Sequence, residues 1–334
     1  MGIVAERDRI TAAHVRDRQQ AAAAGGPPLI GVSVPATSAN LGPGYDSFGV
    51  ALDVPLVAVV LPRGDHRIIA HGEGAAELST GDDNLVWRAV KAWCVFAGTS
   101  IPEISVQVDT AIPLERGMGS SSAAAVAGLL LGRALTGGQA TIQQMLGLAT
   151  DLEGHADNAA AALVGGLVAC TPDGRFVRVT PSSALRPVLL VPHQRQSTTQ
   201  SRAGLPRQVS LAAAAANLAH AATTFAGLAG LIPLTAGDMV DVLHEPVRLQ
   251  VMPSSQALLN TLRGAGIPTA LSGAGPSIVA VIGARDTAAV DTVRTLASNA
   301  VPQAGAVEVI PASWDLAGAT VCPPGPTTQP DTNA

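Results

Sequence analysis

Residues 120–135, SSSAAAVAGLLLGRAL, are small or apolar on almost every helical face. A helix of that kind is buried on most sides. The chain has the material to cover it: 47% of its 334 residues are hydrophobic and only 13% are charged. Ala, Leu and Val fill the helices, since aromatic residues make up only 2%. The length predicts one large or two medium domains.

The composition also narrows the function. Net charge is −5 and no basic run is dense enough to hold a polyphosphate backbone, so no nucleic-acid partner is expected. Cys94, Cys170 and Cys322 are odd in number and far apart, with no metal-ligand spacing. They fit a reducing cytoplasm as small apolar residues or free thiols. No stretch of about 20 uninterrupted apolar residues occurs, so no membrane span is expected.

Residues 1–29 read as a polar extension outside the fold, disordered or helical, and residues 321–334, rich in Pro and Thr, as a disordered tail. Between them, LIGVSVP alternates as a strand and runs into ATSANLGPGYDSFG, a loop rich in turn formers. DDNLVWRAVKAWCVFAG predicts a helix with Asp83 as a possible cap. Thr141 and Gln144 predict a capping box on the helix TIQQMLGLATDLEG. LVGGLVAC and RFVRVTP predict paired strands, and LRPVLLVP opens a second series with helices around 208–229, 237–249, 254–263 and 286–299. Strands and helices do not alternate strictly, which favours a mixed α+β architecture over a doubly wound parallel sheet. The expected domains are 30–180 and 181–320.

Four constellations can carry chemistry. In PLERGMGSSSAAA, residues 113–125, Gly117 and Gly119 precede a helix that opens with Ser120, Ser121 and Ser122. Unpaired N–H groups and the dipole at such a start attract an anion. A strand–turn–helix junction with serine caps fits the same residues. It is not a Walker A loop, because no Lys-Ser or Lys-Thr follows. LSGAGPSIVAVIG, residues 271–283, is a second glycine turn, with Gly273 and Gly275 flanking Ala274. PATSANLGPGYDSFGVALD, residues 35–53, embeds Asn40 and Asp46 in a third, where a carboxylate and an amide suit an ammonium group. LEGHADN, residues 152–158, gathers Glu153, His155, Asp157 and Asn158 at a helix end. A Glu near a polyphosphate can hold Mg²⁺, and a surface polar turn is the plain alternative.

Taken in chain order, the first (35–53), second (113–125) and third (271–283) glycine segments resemble the signature motifs of the GHMP kinases, small-molecule kinases without a Walker A loop. EGHADN, STTQSRAGLP (197–206) and DVLHEPVR (241–248) are similar to segments of the homoserine kinase family within them. The resemblance spans about residues 30–320. It implies a two-domain GHMP kinase fold, with an N-terminal ribosomal-protein-S5-domain-2-like α/β domain and a C-terminal ferredoxin-like α+β domain.

The resemblance also implies roles. Pro113, Leu114, Glu115, Arg116, Gly117 and Met118, with Gly119, Ser120, Ser121, Ser122 and Ala123, would wrap the ATP phosphates, and Gly273 and Gly275 form the third motif. Ser121 and Glu153 would hold Mg²⁺, and Asn84 falls near the nucleotide base or ribose. Asn40 and Asp46 would receive the amino group of L-homoserine, and Arg202 and Arg248 its carboxylate. His155 and Asn158 would lie near the hydroxyl end, with Thr198 and Arg202 by the acceptor and γ-phosphate. Asn158 stands where several GHMP relatives carry an Asp base, whereas homoserine kinases manage without one.

Departures from the pattern are few. Met118 replaces Leu, Ser122 and Ser201 replace Ala, and Glu115 stands where Gly is common. The implied activity is phosphorylation of homoserine, on the route to threonine, by a cytoplasmic homodimer with no membrane partner. The alternatives are a GHMP kinase for mevalonate or a sugar, and a silent nucleotide-binding protein of the same fold.

Overall fold

The computed structural model describes residues 2–10, 30–61, 68–196, 201–202, 204–303 and 305–322. The first sheet holds β1 (Gly31–Asn40), β2 (Gly44–Leu61), β3 (Ile68–Gly72), β4 (Ser105–Thr110), β5 (Leu167–Cys170), β6 (Phe176–Val179) and β11 (Thr320–Cys322). Its order is β11-β1-β2-β4-β3, with β5 paired to β2 and β6 to β5. Only the β3–β4 pair is parallel among these. The second sheet holds β7 (Leu185–Pro192), β8 (Thr269–Leu271), β9 (Ile278–Gly283) and β10 (Val307–Pro311), antiparallel in the order β10-β7-β9-β8. The architecture is the expected mixed α+β.

Period-two alternation decides how the two sheets share a core. Val188 and Leu190 of β7, with Ile278 and Ala280 of β9, pack with α8 (Pro253–Gly264) and α9 (Thr287–Ala300). Their neighbours Leu189, Val191, Val279 and Val281 belong instead to the main core, which continues into the first sheet.

In that core lies α3 (Ser120–Thr136), with Ala123, Val126, Ala127, Leu129 and Leu131 almost fully buried. It packs on β1, α2 (Leu85–Ala97), α4 (Ile142–Glu153) and α5 (Asp157–Val164). Gly128 allows the close approach to α2, because a Cβ there would sit 2.1 Å from the Val86 carbonyl oxygen. The capping box is present: Thr141 Oγ1 accepts from Gln144 N–H, and Gln144 Oε1 accepts from Thr141 N–H. β5 and β6 pair as expected.

The structure corrects several expectations. The segment read as a loop after LIGVSVP is mostly strand: Ala36–Ala39 pair with Gly49–Leu52, and the turn is confined to residues 41–43. Small side chains let the two strands lie close, and register shifts at Pro35/Ala36 and Ala39/Asn40 bend the ladder. The cap of α2 is Asn84, whose Oδ1 accepts from Val86 N–H, and not Asp83. The helix expected over 237–249 shrinks to a single turn, α7 (Glu245–Arg248), continued by a 3₁₀ turn at Leu249–Val251. Asp241 is the reason: its Oδ2 accepts from the N–H groups of Leu243, His244 and Glu245, starting the helix only there.

Both termini also join the fold further than expected. Residues 3–10 form a helix, α1, that buries Ile3, Glu6 and Ile10. Arg9 bonds Glu6 and Asp109 of β4, and Arg7 Nη1 donates to the Pro311 carbonyl. Apolar residues at 3 and 10 share one face of two helical turns, a pattern hidden among the charges of the segment. Residues 321–322 pair with β1 and are not tail, while 11–29 and 323–334 lie outside the described residues.

α6 (Leu211–Leu228) is the one described helix long and apolar enough by composition to cross a membrane. Its Asn217 donates to the Pro43 carbonyl (2.8 Å) and its Thr224 to the Asp238 carbonyl (2.7 Å), which ties it to the fold.

Candidate active site

Four elements converge on a cleft of about 320 Å³: the β1–β2 hairpin, the turn entering α3, the start of α5, and the loop from Ser272 to Pro276. α3 begins at Gly119, which has a left-handed backbone and provides no side-chain cap, so the first N–H groups face the cleft without one. Ser121 Oγ and Ser122 Oγ both donate to Glu153 Oε2, the latter at 3.0 Å. These donors are all oxygen, as a magnesium ion prefers.

Backbone packing locks the turn. Gly117 has φ +72°, and a Cβ there would meet the Ser272 carbonyl oxygen at 2.1 Å. Ser272 Oγ lies 2.7 Å from the Gly117 carbonyl and 2.8 Å from Ser38 Oγ. The third glycine segment is thus a buttress under the other two. Its Gly273 carbonyl accepts from Asn40 Nδ2 (2.7 Å) and from Arg248 Nη1 (3.1 Å).

The charged residues lie at the hairpin end of the cleft. Asp46, with φ +52°, is paired bidentately with Arg202 at 2.6 and 2.9 Å. The Asp46 N–H donates to Asn40 Oδ1, which fixes the carboxylate relative to β1. Arg248 is 3% exposed and has no carboxylate in ion-pair range among the described residues. Burial pushes its guanidinium below the usual arginine value. Tyr45 sits between the two cations, with Arg202 and Arg248 5.9 and 5.6 Å from its ring centre.

At the other end, His155 Nδ1 donates to Asp157 Oδ1 (3.1 Å), and this hydrogen bond raises the imidazole above its ordinary value. Asp157 Oδ1 also accepts from the Asn158 N–H (2.7 Å), so it serves the start of α5. Asn158 Oδ1 accepts from Thr37 Oγ1 at 2.6 Å.

Of the residues named from sequence, the cleft brings together Asn40, Asp46, Glu115, Gly117, Met118, Gly119, Ser120, Ser121, Ser122, His155, Asn158, Arg202, Arg248 and Gly273. Others only support it. Pro113 and Ala123 are buried beneath the turn, and Leu114 packs over Gly74. Arg116 donates to the Pro192 and His193 carbonyls, and Gly275 lies against Gly117. Asn84 does not line the cleft: its amide is occupied by the α2 cap and by the Ser79 carbonyl. Thr198 lies outside the described residues. Glu115 is exposed at the cleft rim with φ +53°, a conformation that explains why glycine suits the position. Sequence reasoning assigned no role to Tyr45, His244 or Gln196. His244 stands four residues before Arg248, and that spacing was the available signal.

A helix start open to anions and a charged acceptor end in one cleft, with Glu153 bonded to the Ser121 and Ser122 that line it, are the arrangement of a small-molecule GHMP kinase. The family model for the GHMP kinases N terminal domain matches residues 84–166. A homoserine kinase of Streptomyces coelicolor is 41% identical over 276 residues, covering 80% of this chain and 88% of that protein. One from Leifsonia xyli is 39% identical over 257 residues, covering 75% and 80%. The crystal structure of a homoserine kinase from Cytophaga hutchinsonii is similar with a TM-score of 0.74 and 26% identity, over 88% of this chain and 97% of that one. The chain belongs to the homoserine kinase family.

Proposed function

We propose that the chain transfers the γ-phosphoryl group of ATP to the hydroxyl of L-homoserine, giving O-phospho-L-homoserine and ADP, in the cytoplasm and as a homodimer. The observation that carries this reading is a buried arginine, Arg248, with no carboxylate in ion-pair range among the described residues, in the same cleft as the Asp46 carboxylate and the open start of α3. A zwitterion answers both charges: its ammonium group goes to Asp46 and its carboxylate to the arginines. The N–H groups and hydroxyls from Gly119 to Ser122 receive the phosphates.

Ser121 and Glu153 fit Mg²⁺ through their oxygen atoms. When bound, the ion supplies charge neutralisation at the phosphoryl oxygens. The chain's own residues orient the acceptor: the substrate hydroxyl oxygen attacks the γ-phosphorus, the bond to the β–γ bridging oxygen breaks, and the hydroxyl proton leaves with the phosphate or to water. No base is required in a loose transition state. Asn158 Oδ1 accepts from Thr37, and Asp157 Oδ1 accepts from His155 and from the Asn158 N–H, so both side chains are held in fixed positions, and the role assigned to them is positioning. His155, its imidazole raised by the hydrogen bond to Asp157, lines the same cleft and would act there by hydrogen bonding.

A coupled ADP-release assay over homoserine, mevalonate, galactose and threonine tests the reading. Turnover of mevalonate or galactose with none of homoserine overturns it. Ser121→Ala is expected to raise the Mg²⁺ requirement and lower kcat/KM for MgATP by about tenfold or more. An unchanged magnesium titration removes Ser121 from the metal site.

A further inference from the structure

One buried group near the cleft has no place in that mechanism. His244 is 1% exposed, one residue before α7, and both its ring nitrogens are engaged. Nδ1 lies 3.1 Å from Arg248 Nη1, and Nε2 lies 2.9 Å from the Gly42 carbonyl oxygen. A guanidinium only donates, so Nδ1 must present its lone pair. A carbonyl only accepts, so Nε2 must carry the proton. The surroundings therefore fix one neutral tautomer. Tyr45 stacks against the ring at 5.3 Å, and Asp241 Oδ1 stands 3.7 Å from Nε2. Burial dominates the titration and pushes the imidazole down to about 4.

Arg248 needs such a holder. Its Nη1 is shared between His244 Nδ1 and the Gly273 carbonyl, while its Nε has no acceptor among the described residues. With no carboxylate in ion-pair range among the described residues, a guanidinium on a flexible stem depends on such directional contacts to keep one orientation. We infer that His244 is a positioning residue for Arg248: its Nδ1 lone pair aims the guanidinium, and its Nε2–H ties that aim to the hairpin turn at Gly42. The inference rests on the proposed function in taking Arg248 as the seat of the substrate carboxylate. It makes the backbone of the first glycine segment, the third glycine segment and α7 one unit around that seat.

Two substitutions separate this from a structural role. Asn places Oδ1 where the histidine has Nδ1, whereas Gln places its amide where the histidine has Nε2. His244→Gln is expected to raise the KM for homoserine about tenfold with the KM for ATP unchanged, and His244→Asn to restore most of the difference. Equal homoserine KM values for the two variants, or parallel changes in both substrates' KM, overturn the inference. The wild-type chain gives an independent reading through ¹⁵N NMR of its histidines. His244 is expected neutral with Nε2 protonated at pH 7, and an Nδ1-protonated signal overturns the inference whatever the variants do. If instead the proposed function fails, the wild type shows no homoserine-dependent ADP release, while the tautomer measurement still stands.

Discussion

Arg248→Ala is expected to raise the KM for homoserine about a hundredfold and leave that for ATP within about twofold of wild type. The asymmetry follows from position. Arg248 sits among Tyr45, His244 and Gly273, at the end of the cleft formed by the hairpin and α7, away from the Ser121–Glu153 group. Its loss leaves a substrate carboxylate facing a desolvated wall with one cation removed, the case in which truncating one member of a buried pair is costly. Arg248→Lys is expected to recover little, because a point charge on a flexible stem replaces a planar fork. Stability should move the other way. Removing a buried cation with no carboxylate in ion-pair range among the described residues relieves a desolvation cost, so the thermal midpoint of Arg248→Ala is expected to match or exceed wild type. Initial-rate kinetics in both substrates, with a thermal melt, check both halves; equal rises in the two KM values argue against a carboxylate seat.

Gly117→Ala is expected to lower kcat/KM for ATP by about a hundredfold, since a displacement near 1 Å costs that much in a positioning enzyme. The new Cβ would lie 2.1 Å from the Ser272 carbonyl oxygen and 2.9 Å from the Gly275 nitrogen, both backbone atoms. Neither is the far end of a side chain that can swing away. The φ of +72° also disfavours any L side chain. The turn must therefore lift off the Ser272–Pro276 loop, carrying the start of α3 with it, and the melt should fall by several degrees. Met118→Leu, a change of nearly equal volume in the adjacent buried position, is the control expected to be near neutral. A Gly117→Ala enzyme with wild-type ATP kinetics would show that this turn does not set the phosphate geometry.

Much of this site was legible in the sequence because its parts are local. A glycine turn into a serine-led helix and a Thr141–Gln144 box each carry their own stereochemistry within a few residues. Half of the residues named from sequence that the cleft brings together, Glu115 and Gly117 to Ser122, lie in the first of those segments. What was not legible depends on partners far along the chain. The polar segment after Pro35 looks like a loop until the strand Gly49–Leu52 is opposite it. Helix α1 is recognisable only once Ile3 and Ile10 have a core to enter. His244 has no meaning apart from Gly42, 202 positions earlier, and Arg248. Asn84 has a structural role that its likeness to a family did not suggest: its side chain caps α2.

The Asp46–Arg202 pair gives the cleft a charge pattern of its own. On the proposed assignment, each of its members faces the opposite charge of an amino acid's ammonium or carboxylate. The pair is then a placeholder for the substrate, and binding becomes an exchange of partners. An amino-acid alcohol replaces every contact that it breaks. A neutral sugar separates the two charges and returns hydrogen bonds but no opposite charge to either. A hydroxy acid without an amino group satisfies the arginine and strands the aspartate. On that assignment, selection against the wrong alcohol follows from the pairing of Asp46 with Arg202 itself.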